Sequence, residues 1–399
     1  MMEIDHSTGR CSVINSKDWL TCLRFEDKDG RFHGSSVAPL FEAAPFFFNS
    51  YEEYAEAARA EASHYVYWRG TNPTVRIVES MLAELEGGED CRCFASGMAA
   101  IHAALMCCLT TGDHAVLVGH VYETSVHLIQ YLNKFQISYT QVEGTSVEQV
   151  ERAIRNQTRA ILLESPTSLT FELVDLKAVA EMARSSGIRT IVDNSWATPI
   201  FQKPLSYGVD IVVHSVSKYL GGHNDLVGGA VIASSDIMER IFYEEYLLLG
   251  AAMGPFEAWL LIRGLRTLPL RMNAHHEAGM KVAEYLSGHP SVAAVHHPGL
   301  ISHPQYDLGR RQLSGYGGLF SFVLKESSYE AVCKVINRLK RFRIGVSWGA
   351  MESQVISPNI GTNEQQLKEQ GIPLSLIRLA VGHEPPNWLI EDLEQALQN

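Results

Sequence analysis

The sequence predicts an α/β protein with a large, mainly parallel sheet domain and a smaller α+β domain toward the C-terminus. Three observations predict it. From about Cys91 onward, short apolar runs alternate with amphipathic stretches, the pattern of strands joined by crossover helices. Two of the apolar runs end in a carboxylate or in small hydroxyl residues around a lysine, at the strand ends where such sheets bind ligands. Beyond His289-Pro290 the pattern becomes a shorter series of strands and helices, which reads as a separate α+β unit.

The elements follow in order. Residues 1–60 are mixed in pattern and form an N-terminal arm, with an aromatic-rich patch at 41–48 and an Ala/Glu stretch from Tyr51 that reads as helix. The large domain is placed at 61–255. Within it, 91–95 reads as strand, 97–109 as helix, 115–118 as strand, 124–132 as helix, 160–163 as strand and 176–184 as helix. Residues 190–192, 211–213 and 230–233 are further strands, and a long helical region runs over 237–285. The C-terminal domain, 256–399, carries a strand at 319–324, a helix at 329–342, a strand at 376–381 and a helix at 388–397.

Composition narrows the function classes. The chain has 399 residues, 46% hydrophobic and 20% charged, with a net charge of −12. That acidic balance, with no basic run, argues against nucleic acid as a partner and weakly against an anionic membrane surface. No segment approaches the roughly 20 apolar residues of a membrane span, and residues 1–31 hold no apolar leader core. The seven cysteines are odd in number, and Cys91/Cys93 and Cys107/Cys108 lie too close for ordinary disulfides. A reduced, cytoplasmic setting is expected. No Cys or His pairs stand at zinc-like spacing, so no metal is expected. His275-His276 and His296-His297 read as structural, because neighbours on a helix do not face one site.

Four segments carry candidate chemistry. In Ile211-Val212-Val213-His214-Ser215-Val216-Ser217-Lys218 an apolar strand ends in hydroxyls around one lysine. Desolvation there lowers a lysine's pKa, and a neutral amine can form an imine. A surface lysine at a strand end would read the same way. In Thr190-Ile191-Val192-Asp193 a strand ends in a carboxylate, which suits the pyridine nitrogen of a pyridoxal cofactor or, more plainly, a turn. Phe94-Ala95-Ser96-Gly97-Met98 is a strand, a small-residue turn and a helix start, whose free N–H groups can bind phosphate. Tyr67-Trp68-Arg69 puts a phenol and a guanidinium in one loop, suited to phosphate or simply exposed.

Together and in this order, these segments resemble the cystathionine-metabolism family of pyridoxal-phosphate enzymes. The resemblance runs from about Ser35 to the C-terminus and includes Leu85-Glu86-Gly87-Gly88, Arg263-Gly264-Leu265-Arg266, Pro298-Gly299-Leu300 and Leu376-Ile377-Arg378-Leu379. It implies the aspartate-aminotransferase-like fold type I, with a seven-stranded sheet, and pyridoxal 5′-phosphate as cofactor. It implies that Lys218 holds the cofactor as a Schiff base and moves protons, and that Asp193 pairs with the ring nitrogen. Tyr122 stacks on the ring, and Ser168 lies near the ring oxygen. Ser96, Gly97, Met98, Ser215 and Ser217 cradle the phosphate, while Tyr67 and Arg69 reach the phosphate of a neighbouring subunit. Arg378 binds the α-carboxylate of an amino-acid substrate beside Trp348, and Ser347 helps position that carboxylate and Lys218. A homo-oligomer with shared sites follows, a dimer of dimers, with the N-terminal arm in subunit contacts.

The branch of the family is read from departures. Ser168 replaces an asparagine common in the family, and Tyr122-Glu123, Asn194-Ser195-Trp196 and Ser347-Trp348-Gly349 are similar to bacterial cystathionine β-lyases. Asn72-Pro73-Thr74 looks like the γ-acting branch, and Val346 lacks the acceptor that relatives offer to the distal amine of cystathionine. The expectation is a carbon–sulfur lyase working by α,β-elimination. The alternative is a γ-acting enzyme: a cystathionine or methionine γ-lyase, or a γ-substitution enzyme.

Overall fold

The computed structural model describes residues 14–25, 30 and 32–398. Cys11 and the first part of the predicted N-terminal arm lie outside the described residues.

Seven strands form the large sheet: β1 Asp90–Phe94, β2 His114–Val118, β3 Ser138–Val142, β4 Thr158–Glu164, β5 Arg189–Asp193, β6 Ile211–His214 and β7 Gly229–Ala233. Their order is β1-β7-β6-β5-β4-β2-β3, and only β7 runs against its neighbours. Strand residues alternate between two apolar layers, as the period of two demands. On β4, Ala160 and Leu162 join the layer of the helices Gly97–Met106 and Glu123–Leu132. Ile161 and Leu163 join the layer of the helix Leu176–Ser185. Covered on both faces, the sheet offers ligands only the carboxyl ends of its strands.

A second sheet follows: β8 Val292–His296, β9 Leu319–Leu324, β10 Arg343–Ile344, β11 Gln354–Ile356 and β12 Leu376–Ala380. Its order is β10-β11-β12-β9-β8. Phe320 and Phe322 of β9 and Ile377 and Leu379 of β12 pack on the helices Leu268–Ser287 and Pro386–Leu397.

Three differences from the sequence reading have local causes. The helical region expected over 237–285 is broken. Ser235–Ile241 passes into a π-turn at Phe242–Tyr246, the chain turns at Gly250 with φ +73°, and helix resumes as Pro255–Leu265 and Leu268–Ser287. Pro255 and Pro269 sit in the first turns of those helices, where a missing N–H costs nothing. The helix expected over 329–342 ends at Arg338, because Asp392 accepts the N–H groups of Lys340 and Arg341 and draws the chain away. The helix expected over 97–109 ends at Met106, with Cys107 as its cap.

One histidine of each pair packs into the core. His275 and His297 are fully enclosed, and burial pushes each imidazole down to about 3. A neutral imidazole of this kind stabilises the fold fully above its unfolded pKa near 6.5. As the pH falls from there toward about 3, the unfolded chain binds protons the folded one refuses, and stability is lost. The loss is up to about 1.4 kcal/mol per pH unit for each imidazole. Urea midpoints between pH 7.5 and 5.5 should therefore fall less steeply for His275→Gln/His297→Gln than for the wild type. Parallel slopes would reject the assignment.

Candidate active site

The carboxyl ends of β1, β4, β5 and β6 open on one side of the large sheet, and most of the predicted residues gather there. Past β1, Ser96 caps the helix Gly97–Met106 by accepting the N–H of Ala99 at 3.1 Å. The first N–H groups of that helix, at Gly97 and Met98, have no carbonyl within the helix to bond. A Cβ on Gly97 would stand 2.9 Å from Ser215, so only glycine lets the helix start come this close to the turn after β6.

That turn carries the lysine. The N–H of Gly221 donates to the carbonyl of Val216, and that of Gly222 to the carbonyl of Lys218, both at 2.8 Å. Ser217 Oγ accepts the N–H of Gly228 at 3.0 Å. Lys218 Nζ donates to Ser347 Oγ at 3.0 Å and lies 5.5 Å from the ring centre of Trp348. Burial lowers the lysine's pKa, the Arg378 guanidinium adds to this, and Asp193 opposes it. Ser347 and Trp348 come from the second unit, and their turn seats closely on the lysine turn. Gly349 has φ +84°, and a Cβ there would stand 2.7 Å from the Tyr219 nitrogen.

Asp193 ends β5. Its Oδ1 accepts the N–H of Ser195 at 2.9 Å, and Ser195 Oγ accepts the N–H of Ser215 at 2.6 Å. Burial raises the Asp193 pKa, while hydrogen bonds from Ser195 and the charges of His214 and Lys218 hold it down. Tyr122 follows β2, half exposed at 51%, with its N–H donated to Glu164 Oε1 at 2.6 Å. Ser168 Oγ donates to the other oxygen of Glu164 at 2.8 Å. Arg378 on β12 donates from Nη2 to the Val346 carbonyl at 3.0 Å, and burial lowers its pKa.

Tyr67 and Arg69 stand apart. They line a surface recess with Trp68, Gly250, Ala252, Met253 and Gly254, which none of the other predicted residues lines. Two residues escaped the sequence reading. Glu164 closes an apolar strand with a carboxylate, the same signal that singled out Asp193. Ser195 was read only as part of a stretch marking the family branch and gave no signal of this role, because the role depends on the turn after the neighbouring strand β6. Among the described residues, no group of His, Cys, Asp and Glu could hold a metal ion, and no helix is long and apolar enough to cross a membrane.

A buried carboxylate, a lysine of lowered pKa and a helix start pressed against Ser215 suit a pyridoxal-phosphate centre on an α/β sheet. The donor set fits that group. Burial disfavours the Asp193 carboxylate and a protonated ring nitrogen would offset that, while the Gly97–Ser215 approach leaves backbone donors for a phosphate. The comparisons agree. The chain belongs to the family described as Cys/Met metabolism PLP-dependent enzymes, which matches residues 21–398. It is an enzyme of sulfur amino-acid metabolism with pyridoxal 5′-phosphate as cofactor. It is 41% identical to cystathionine gamma-lyase of Bacillus subtilis (strain 168), over 87% of this chain and 92% of that one. It is 36% identical to cystathionine beta-lyase of Lactococcus lactis subsp. cremoris (strain MG1363), over 86% and 91%. The crystal structure of metB from Corynebacterium glutamicum superposes with a TM-score of 0.88 at 32% identity, over 95% of this chain and 97% of that one.

Proposed function

We propose that this chain is a carbon–sulfur lyase that cleaves L-cystathionine, or an amino acid like it, by α,β-elimination. One observation carries the choice. Lys218 Nζ is held between Ser347 Oγ at 3.0 Å and the Trp348 ring at 5.5 Å. The indole there belongs to Ser347-Trp348-Gly349, a stretch similar to bacterial cystathionine β-lyases.

In this reading, bound pyridoxal 5′-phosphate supplies an electron sink for charge at Cα. Asp193 holds the ring nitrogen protonated, Tyr122 covers the ring face, and Ser168 lies at its edge. Ser96, Gly97, Met98, Ser215 and Ser217 take the phosphate. Arg378 grips the substrate α-carboxylate with its planar fork. Lys218, whose ammonium form burial and Arg378 disfavour, takes the proton from Cα. The Cβ–S bond then breaks and the sulfur leaves as a thiol carrying a proton from the site. One water then hydrolyses the remaining three-carbon fragment, which is released as pyruvate and ammonia.

Tyr67 and Arg69 serve the phosphate of a neighbouring copy in this proposal, so the working unit is at least a dimer and, in full, a dimer of dimers. Their separation from the Lys218 group supports it, as does the exposure of Phe47 at 94% and Tyr51 at 77% on the N-terminal arm. A cytoplasmic setting fits the cysteines, six of which are free among the described residues.

The 41% identity to a γ-lyase favours a second reading, γ-elimination at the same site. Product identification separates the two. Purified enzyme with L-cystathionine is expected to give pyruvate. A 2-oxobutanoate product selects the γ-reading, and neither keto acid would sink the lyase proposal.

A further inference from the structure

Glu164 ends β4 as Asp193 ends β5, and the two residues face each other in the parallel register. The residues just before them, 160–163 on β4 and 191–192 on β5, are apolar, so two carboxylates enter the cleft side by side, from strands about 4.8 Å apart. Each oxygen of Glu164 has its own partner: Oε1 accepts the N–H of Tyr122 at 2.6 Å, and Oε2 accepts the hydroxyl of Ser168 at 2.8 Å. One side chain thus ties together three residues placed around the cofactor ring: Tyr122 and Ser168 by hydrogen bonds, and Asp193 by adjacency.

Two carboxylates this close in a cleft resist carrying two negative charges. Burial works against both charges, but hydrogen bonds from Ser195 and the charge of Lys218 favour the ionised form of Asp193. Glu164 has only hydrogen-bond donors from Tyr122 and Ser168, and the charge of Asp193 works against its own. The shared proton therefore belongs on Glu164. A proton on Oε2 reverses that bond: Glu164 donates to Ser168 Oγ, and the Ser168 hydroxyl hydrogen is released toward the cleft.

We infer that Glu164 is a positioning residue of the ring site, working in its protonated form to fix Tyr122 and Ser168 while leaving the negative charge to Asp193. The inference rests on the proposed ring contacts of Tyr122, Ser168 and Asp193.

Glu164→Gln, Glu164→Asp and Asp193→Asn are compared with the wild type as reconstituted holoenzymes. Two readouts are taken: the cofactor dissociation constant, and the visible circular dichroism of the bound cofactor, which reports ring orientation. Glutamine keeps the length and the neutral state, and is expected within about threefold of wild-type affinity with the wild-type dichroic band. Aspartate withdraws both oxygens by one methylene, and is expected to bind the cofactor about tenfold more weakly with a diminished band. Glutamine as damaging as aspartate would overturn the inference, and so would aspartate indistinguishable from wild type. If Glu164→Asp does not fold, Glu164→Gln decides alone, a tenfold loss against the inference and a wild-type band for it. A silent Asp193→Asn brings down the ring-partner reading beneath it. A severe Asp193→Asn beside a silent Glu164→Asp removes this inference alone.

Discussion

Lys218→Ala is expected to lower kcat with L-cystathionine by at least about 10³-fold, since in the proposed reading one amine serves as both covalent anchor and proton carrier. The protein should still fold, because the lysine's single side-chain hydrogen bond is to Ser347 and the turn around it is held by backbone bonds of Gly221 and Gly222. Purified Lys218→Ala should also lack the absorption band that a covalently attached cofactor gives the wild type. Activity within tenfold of wild type, with the band intact, would remove Lys218 from the centre.

Asp193→Asn is the second large effect. The amide keeps the size and can still accept from the N–H of Ser195, now 2.9 Å from Oδ1. It cannot hold a proton on a ring nitrogen, so the electron sink weakens while the fold persists. A loss of about 10²-fold or more in kcat is expected, with KM changed far less, because the missing interaction matters most as charge develops. Steady-state kinetics on holoenzyme at saturating cofactor checks this. A KM effect alone would mean that Asp193 holds substrate rather than tuning the ring.

Much of this centre was legible because buried parallel strands announce themselves. Val212-Val213 and Ile191-Val192 are apolar with no polar face, so the first polar residue after each marks the strand's open end, and these are the positions of Asp193 and the Lys218 turn. The same logic fails at sheet edges. β3, Ser-Tyr-Thr-Gln-Val, is an edge strand with partly exposed residues and offers no apolar run. β10 has two residues, both exposed, and β11 has three with only Val355 buried; both are held by pairing that no local pattern encodes. The helical region after β7 was over-extended because its apolar residues keep coming while the chain turns at Gly250. Glu164 was within reach of the strand-end argument and differed from Asp193 only in having a serine and a proline behind it. The contact of Ser347 with Lys218 came from the family resemblance, since 129 residues separate them and no spacing rule spans that gap.

That last contact bears on how the chain matures. The reactive amine lies in the first sheet, while the hydroxyl, the indole and the guanidinium around it arrive from the second, more than a hundred residues later. Contacts of such long sequence separation form late and slowly in folding. A growing polypeptide thus carries its nucleophile for most of its synthesis without the groups that direct it, and the amine acquires its direction only when the C-terminal half docks.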